Sequence, residues 1–256
     1  MDLEKAQNII VNFIRDKVNE AGVSGAVVGI SGGIDSALTA TLTVKALGAD
    51  KVLGIHMPEA GLTPEVDSED ARALTEWLGI EYRTIDISGI ISAFMAAVPE
   101  SESADRLSRG NLKARVRMSL LYFHANRMNR MVMGTGNKTE ILLGYYTKYG
   151  DGGVDIEPIG ILYKTKVWEL ARKLGVPESI ISKKPSAGLW AGQTDEAEIG
   201  MSYGTVDRVL EMLEEKESTE RIEELLSISE EQLQSVFRRI EGSEHKRNVP
   251  PVPEIL

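Results

Sequence analysis

Cysteine is absent from the 256 residues. That excludes disulfide staples, thiolate zinc sites and cysteine nucleophiles. Histidine is scarce, at positions 56, 124 and 245 only, which argues against a His-rich metal centre. No apolar run approaches the roughly 18–20 residues of a membrane span. The opening MDLEKAQNIIVNFIRDK carries acids at helical spacing, so no secretion signal is expected. Positive charge is outweighed, with 29 Lys and Arg against 39 Asp and Glu, a net charge of −10. Non-specific binding of nucleic acid, whose phosphates need Lys and Arg, is therefore disfavoured. A local basic pocket for a phosphorylated small molecule is not. A cytoplasmic location is the simplest expectation. What is present is ordinary for a globular chain: 42% hydrophobic and 27% charged residues, at a length that suits one large domain or two small ones.

Apolar spacing predicts an amphipathic helix over residues 3–20. Strands follow at 25–30, 51–56, 81–87 and 130–134, with helices between them at 36–47, 64–78, 88–97 and 105–129. Such alternation means βαβ units and a mostly parallel sheet with helices on both faces. Ligands of such sheets bind at the carboxyl ends of the strands. Residues 144–160 and 184–197 read as loops, 164–174 and 202–241 as helices, and 248–256 as an extended tail. Acidic runs such as Glu214-Glu215 read as solvated helix faces.

The first chemical signal is Ser31-Gly32-Gly33-Ile34-Asp35-Ser36, between a strand and a helix. Two glycines allow close backbone approach, and a helix N-terminus offers free N–H groups to an anion. Asp35 beside a phosphate is repulsive unless a cation lies between them. It is therefore a candidate Mg²⁺ ligand, or more plainly a helix cap. The segment is neither G-x4-G-K-[ST] nor G-x-G-x-x-G. It resembles the PP-loop of ATP pyrophosphatases, which implies cleavage of ATP to AMP and pyrophosphate.

Four further segments stand out. In Gly110–Met118, Lys113 and Arg117 are four apart and share a helix face, while Arg115 points elsewhere. Gly134-Thr135-Gly136-Asn137-Lys138-Thr139-Glu140 is a second strand-end loop, with Glu140 a candidate second oxygen ligand. Thr147-Lys148-Tyr149-Gly150-Asp151-Gly152-Gly153-Val154-Asp155 is Gly-rich with two aspartates, suited to a cation, a ribose or a plain surface turn. Lys183–Glu196 contains a lone Trp190 between glycines, suited to a lid or to ordinary packing. Glu244-His245-Lys246-Arg247 lies near the end.

With the first loop, these segments closely resemble the NAD⁺ synthetase family over roughly residues 5–250. The resemblance implies an open, doubly wound α/β sheet of Rossmann-like, adenine nucleotide alpha hydrolase type. Within one domain spanning 1–256, the ATP pyrophosphatase core covers about 22–170 and a helical C-terminal part about 171–256. It implies an amide-forming ligase that adenylates the nicotinate carboxylate of deamido-NAD⁺ and lets ammonia displace AMP. By motif, Gly29, Ile30, Ser31, Gly32, Gly33, Ile34, Asp35 and Ser36 fall on the ATP phosphates. Arg117, Thr135, Lys164 and Ser186 join them at ATP, with Lys166 an alternative to Lys164. Asp35 and Glu140 fall on Mg²⁺. Arg115, Lys148, Asp155, His245 and Lys246 fall on deamido-NAD⁺, and Asp151 on substrate or ammonia. The family also implies a homodimer with the dinucleotide at the subunit interface.

The sequence departs from the glutamine-dependent members in one respect. Only about 24 residues precede the first strand, and there is no cysteine for a glutaminase. No glutaminase domain is expected, so nitrogen comes as free ammonia or from a separate glutaminase. The competing readings are another amide-forming PP-loop synthetase and a nucleotide sensor with a decayed site. The presence of Asp35, Glu140 and both lysines argues against decay.

Overall fold

The computed structural model describes residues 2–190 and 192–253. Ala191 of the lid segment and residues 254–256 of the expected tail lie outside the described residues. The N-terminal half alternates as predicted: α1 (Leu3–Glu20), β1 (Ala26–Gly29), α2 (Ile34–Leu47), β2 (Val52–His56), α3 (Glu65–Leu78), β3 (Glu81–Thr84), α4 (Ser88–Ala97), α5 (Arg106–Met128) and β4 (Met131–Met133). The four strands pair in parallel in the order β3-β2-β1-β4. The third strand stops at Thr84, short of the predicted residue 87. Beyond it Ile85 N–H still bonds the carbonyl of His56, but Asp86 turns to accept from the N–H of Ser88, the first residue of α4. Pro64 is the N-cap of α3 rather than its first helical residue.

Side-chain alternation builds two layers. Ala26 and Val28 face a core with α1, α2, α3 and the later helix α7 (Lys164–Leu174). Val27, Leu53 and Ile55 face the opposite core with Val116, Leu120 and Leu121 of α5. Period-2 alternation in a sheet buried on both faces produces this division. Because β2 and β4 flank β1 on opposite sides, the chain reverses direction of travel at β1. The loops after β1 and β4 thus open at a topological switch point, where open α/β sheets bind ligands.

The second half is helical: α6 (Lys138–Leu143), α7, α8 (Glu178–Ile181), α9 (Asp195–Ile199), α10 (Tyr203–Glu214), α11 (Thr219–Leu226), α12 (Glu230–Gly242) and α13 (Glu244–Arg247). The lid segment therefore ends in a short helix, α9, that apolar periodicity did not reveal. Its apolar residues, with α10–α12, form a third core around Tyr203, Val206, Leu210 and Leu233. Trp168 of α7 packs against this core and the first one, joining the halves.

Candidate functional site at the strand ends

Sheet pairing carries β1 straight into the first loop, since Ile30 N–H bonds the carbonyl of Ile55. The carbonyl of Ile30 accepts from Nδ1 of buried His56 at 2.8 Å, and Ser68 Oγ lies 2.8 Å from Nε2. Burial lowers the pKa of His56, so the ring is neutral and serves as a strut. Ser36 Oγ, 3.0 Å from Ser31 Oγ, also accepts from Ser31 N–H at 3.2 Å. Gly33 is the N-cap of α2, and no side chain caps it. The helix N–H groups are left to an anion at the sheet's carboxyl end. Neither Asp35 nor Ser36 is the cap, which removes the plainer reading of Asp35.

Asp35 instead meets the second loop. Its Oδ1 accepts from Nδ2 of Asn137 at 2.9 Å. Asn137 also forms a capping box with Glu140: its side chain accepts from Glu140 N–H at 3.0 Å, and its own N–H donates to Glu140 Oε2 at 3.2 Å. Fully buried Asn137 therefore sets both carboxylates. Lys164 Nζ bridges their remaining oxygens, 2.5 Å from Asp35 Oδ2 and 3.4 Å from Glu140 Oε1. Burial alone would lower the pKa of Lys164, but Asp35 and Glu140 outweigh it and hold the ammonium charged. Burial pushes Glu140 above the usual carboxylate range against the pull of Lys164. The N-terminus of α7 is fixed by Thr139 Oγ1, which accepts from Lys164 N–H and donates to Asp207. Lys166 turns outward to Glu169 at 2.7 Å.

Around this centre, Arg117 donates to the carbonyl of Met57, and Lys113 pairs with Glu59 at 2.7 Å. Asp151 accepts from Thr147 N–H at 2.9 Å. Its side chain is open to solvent, yet the surrounding protein raises its pKa by desolvation. Thr135 is half-buried in the second loop. Ser186 is exposed, its hydroxyl accepting from Gly188 N–H.

Arg115, Lys148, His245 and Lys246 come together. Arg115 donates to the carbonyl of Lys148, and Lys148 Nζ to the carbonyl of His245 at 2.6 Å. Lys246 Nζ donates to the carbonyls of Gly144 and Tyr146, each at 2.6 Å. Lys148 and His245 line a recess of about 550 Å³. Asp155 stands apart, its carboxylate accepting from Val132 N–H of β4 and from Tyr122.

Sequence reasoning gave no role to Asn137, Glu157, Asp195 or Lys183. Glu157 accepts from Gly136 N–H at 3.0 Å, and burial pushes it up to about 8. A Cβ at Gly134 would collide with this carboxyl. Buried Asp195 accepts from Tyr203 and Tyr145. A lone acid or lysine in a motif carries no such information until the chain is folded. The capping-box spacing Asn137-x-x-Glu140 was a readable signal for one of the four.

An uncapped helix N-terminus, a Gly-rich turn and a lysine set between two carboxylates, all at the switch point, define a nucleotide-binding α/β protein built to handle phosphate charge. Comparison narrows the class. The family model for NAD synthase matches residues 6–250, and the chain belongs to that family. It is 76% identical over 255 residues to the NH(3)-dependent NAD(+) synthetase of Methanosarcina mazei, covering all of both chains. Among solved structures it is similar to NMN synthetase from Francisella tularensis, with a TM-score of 0.88 and 36% identity over 100% of each chain. It is also similar to the NH3-dependent NAD synthetase from Campylobacter jejuni, with a TM-score of 0.83 and 35% identity, covering 99% of this chain and 100% of that one.

Proposed function

We propose that the cleft at the switch point is where this chain converts deamido-NAD⁺ to NAD⁺. Family membership gives the reaction: an ATP-dependent ligase amidates deamido-NAD⁺ with ammonia and releases AMP and pyrophosphate. The nicotinate carboxylate attacks the α-phosphorus and pyrophosphate leaves. Ammonia then attacks the acyl carbon, and AMP departs with one carboxylate oxygen. The observation that carries the assignment is Lys164, bridging Asp35 and Glu140 beside the uncapped start of α2.

In this reading the N–H groups and hydroxyls of Gly29–Ser36 bind the phosphates, with Thr135, Ser186 and Arg117 around the nucleotide. Lys164 offsets charge growing on pyrophosphate. Arg115, Lys148, His245 and Lys246 bind the dinucleotide, with Asp155 at its edge. Asp151 holds ammonium and takes up its proton, which a raised pKa assists. Residues 184–197 shield the adenylate from water.

Among the described residues no three His, Asp or Glu side chains gather into a metal cage. Asp35 and Glu140 fit Mg²⁺, which is commonly held by one or two carboxylates plus substrate phosphates. Bound there, Mg²⁺ would supply charge neutralisation between the carboxylates and ATP.

The homodimer rests on an apolar groove of about 920 Å³ between α4 and α5, lined by Ile90, Phe94, Val98, Leu120 and Phe123. Phe94 is 49% exposed and Phe123 55%. Exposed apolar surface of this kind marks an interface, and Arg115 lines the same groove. A second copy seated there places the dinucleotide cluster next to the subunit boundary. No helix of the described residues is long and apolar enough to cross a membrane. A single domain working in the cytoplasm completes the proposal.

Pyrophosphate, AMP and NAD⁺ are measured from ATP and deamido-NAD⁺ with and without ammonium. NAD⁺ appears only with ammonium, in equal amount to AMP. Pyrophosphate release indifferent to deamido-NAD⁺ contradicts the assignment. Likeness to a protein named NMN synthetase motivates a second arm with nicotinate mononucleotide. The proposal expects the higher kcat/KM for the dinucleotide acid.

A further inference from the structure

We propose that Lys183 is a positioning residue that locks the nucleotide loop to the root of segment 184–197. Its ammonium donates to the carbonyl of Gly32 at 3.0 Å and to Asp67 Oδ1 at 2.6 Å, and forms an ion pair with Asp70 Oδ2 at 2.6 Å. Both carboxylates belong to α3, so the ammonium is drawn towards the helix behind the loop. Ser179 of α8 donates to Asp70 at 2.8 Å and holds that carboxylate in place. Lys183 therefore acts on the loop from behind.

Two physical effects follow. The first is geometric. Gly32 has φ +84°, and a Cβ there would collide with the backbone of Asp67, so the loop lies directly on the start of α3. A trans peptide sets C=O and N–H on opposite sides. Holding the carbonyl of Gly32 on the Lys183 side therefore turns Gly33 N–H the other way, where it bonds Ser31 Oγ at 3.1 Å. The second effect is electrostatic. Without the ammonium, Asp67 and Asp70 would stand uncompensated behind a loop that must receive a polyanion.

The chain leaving Lys183 crosses the cleft. Pro185 accepts from Asp195 N–H, and Leu189 accepts from Lys113 Nζ at 3.2 Å. Trp190 lies 4.7 Å from the Arg106 guanidinium, and Leu189 and Trp190 pack against Gly110 of α5. Lys183 thus fixes one end of a segment whose middle rests on the far wall. A change in the Gly32–Gly33 peptide on ATP binding is transmitted to that segment through one side chain.

This inference rests on the first loop being the ATP phosphate site, so ATP binding to the wild-type chain is measured alongside by calorimetry. Lys183→Met keeps the stem and removes the charge. It raises KM for ATP roughly tenfold or more while KM for deamido-NAD⁺ stays within about twofold, the scale expected for a lost charge-assisted contact. Lys183→Arg retains most of the ATP affinity. Adding Asp67→Asn to Lys183→Met recovers part of it, a rescue that a purely structural role would not give. ATP-dependent protection of residues 184–197 from protease, present in the wild type, is lost in Lys183→Met. Wild-type KM for ATP in a folded Lys183→Met variant overturns the proposal. So does a parallel rise of both KM values with collapse of thermal stability and no rescue by Asp67→Asn. Failure of the wild type to bind ATP would instead overturn the assignment of the loop itself.

Discussion

Lys164 brings a positive charge to a position only 1% exposed, where two carboxylates need it. Removing one partner of a buried ion group leaves the others uncompensated. Lys164→Met therefore has opposite effects on two measurements. Mn²⁺ binding without nucleotide, followed by electron paramagnetic resonance, becomes tighter. Turnover falls roughly 10²–10³-fold, the scale seen when a transition-state charge stabiliser is deleted. Asn137→Ala removes the bonds that set Asp35 and Glu140, and costs about 1–3 kcal/mol of stability, read by denaturant unfolding. Glu157 gives a pH signature. Its raised pKa means the folded protein keeps a proton that the unfolded chain has lost. Stability therefore falls as pH rises from the ordinary value of 4.5 to about 8, and the cost stays in full above that. Glu157→Gln is expected to raise Tm clearly at pH 8.5, by up to roughly a few kcal/mol of stability, and little at pH 5. Asp35, Glu140 and Lys164 were legible because they sit in or beside motifs at strand ends. The hold of Asn137 on Asp35 was not, because the two are 102 positions apart, although its capping-box spacing to Glu140 was readable.

At the scale of elements, periodicity located the longer helices, since α1, α4 and α7 carry apolar residues to the end of the pattern, but not the four- and five-residue α8, α9 and α13. β3 was read too long because Asp86 turns to accept from Ser88 N–H at the start of the next helix instead of extending the strand. The short α9 carries few apolar residues, and its place is set by Asp195 bonding two tyrosines. The segment before it is held on α5 by the bare backbone of Gly110. Gly110→Val adds bulk where Leu189 and Trp190 rest, and lifts that segment from the cleft. The adenylate then meets water, so AMP is produced in excess of NAD⁺, whereas the wild type keeps them equal. Quantifying both products by chromatography checks this.

At the scale of the molecule, the order β3-β2-β1-β4 brings the loops after β1 and β4 together. The helical second half delivers Lys164 and Lys183 to them. The alternation of strands and helices announced the sheet, but the contacts of residues 183–195 with both halves arise only on folding. The apolar groove between α4 and α5 belongs to this scale too. Replacing Phe94 and Phe123 together with Glu is expected to yield monomers in analytical ultracentrifugation. It also weakens deamido-NAD⁺ binding more than ATP binding.

In the adenylation step a carboxylate oxygen of deamido-NAD⁺ passes to AMP. Deamido-NAD⁺ labelled with ¹⁸O in the nicotinate carboxylate, turned over with ATP and ammonium, tests it by mass spectrometry. The label is expected in the phosphate of AMP and not in pyrophosphate. ADP with labelled inorganic phosphate, or AMP free of label, would contradict acyl-adenylate formation at this site.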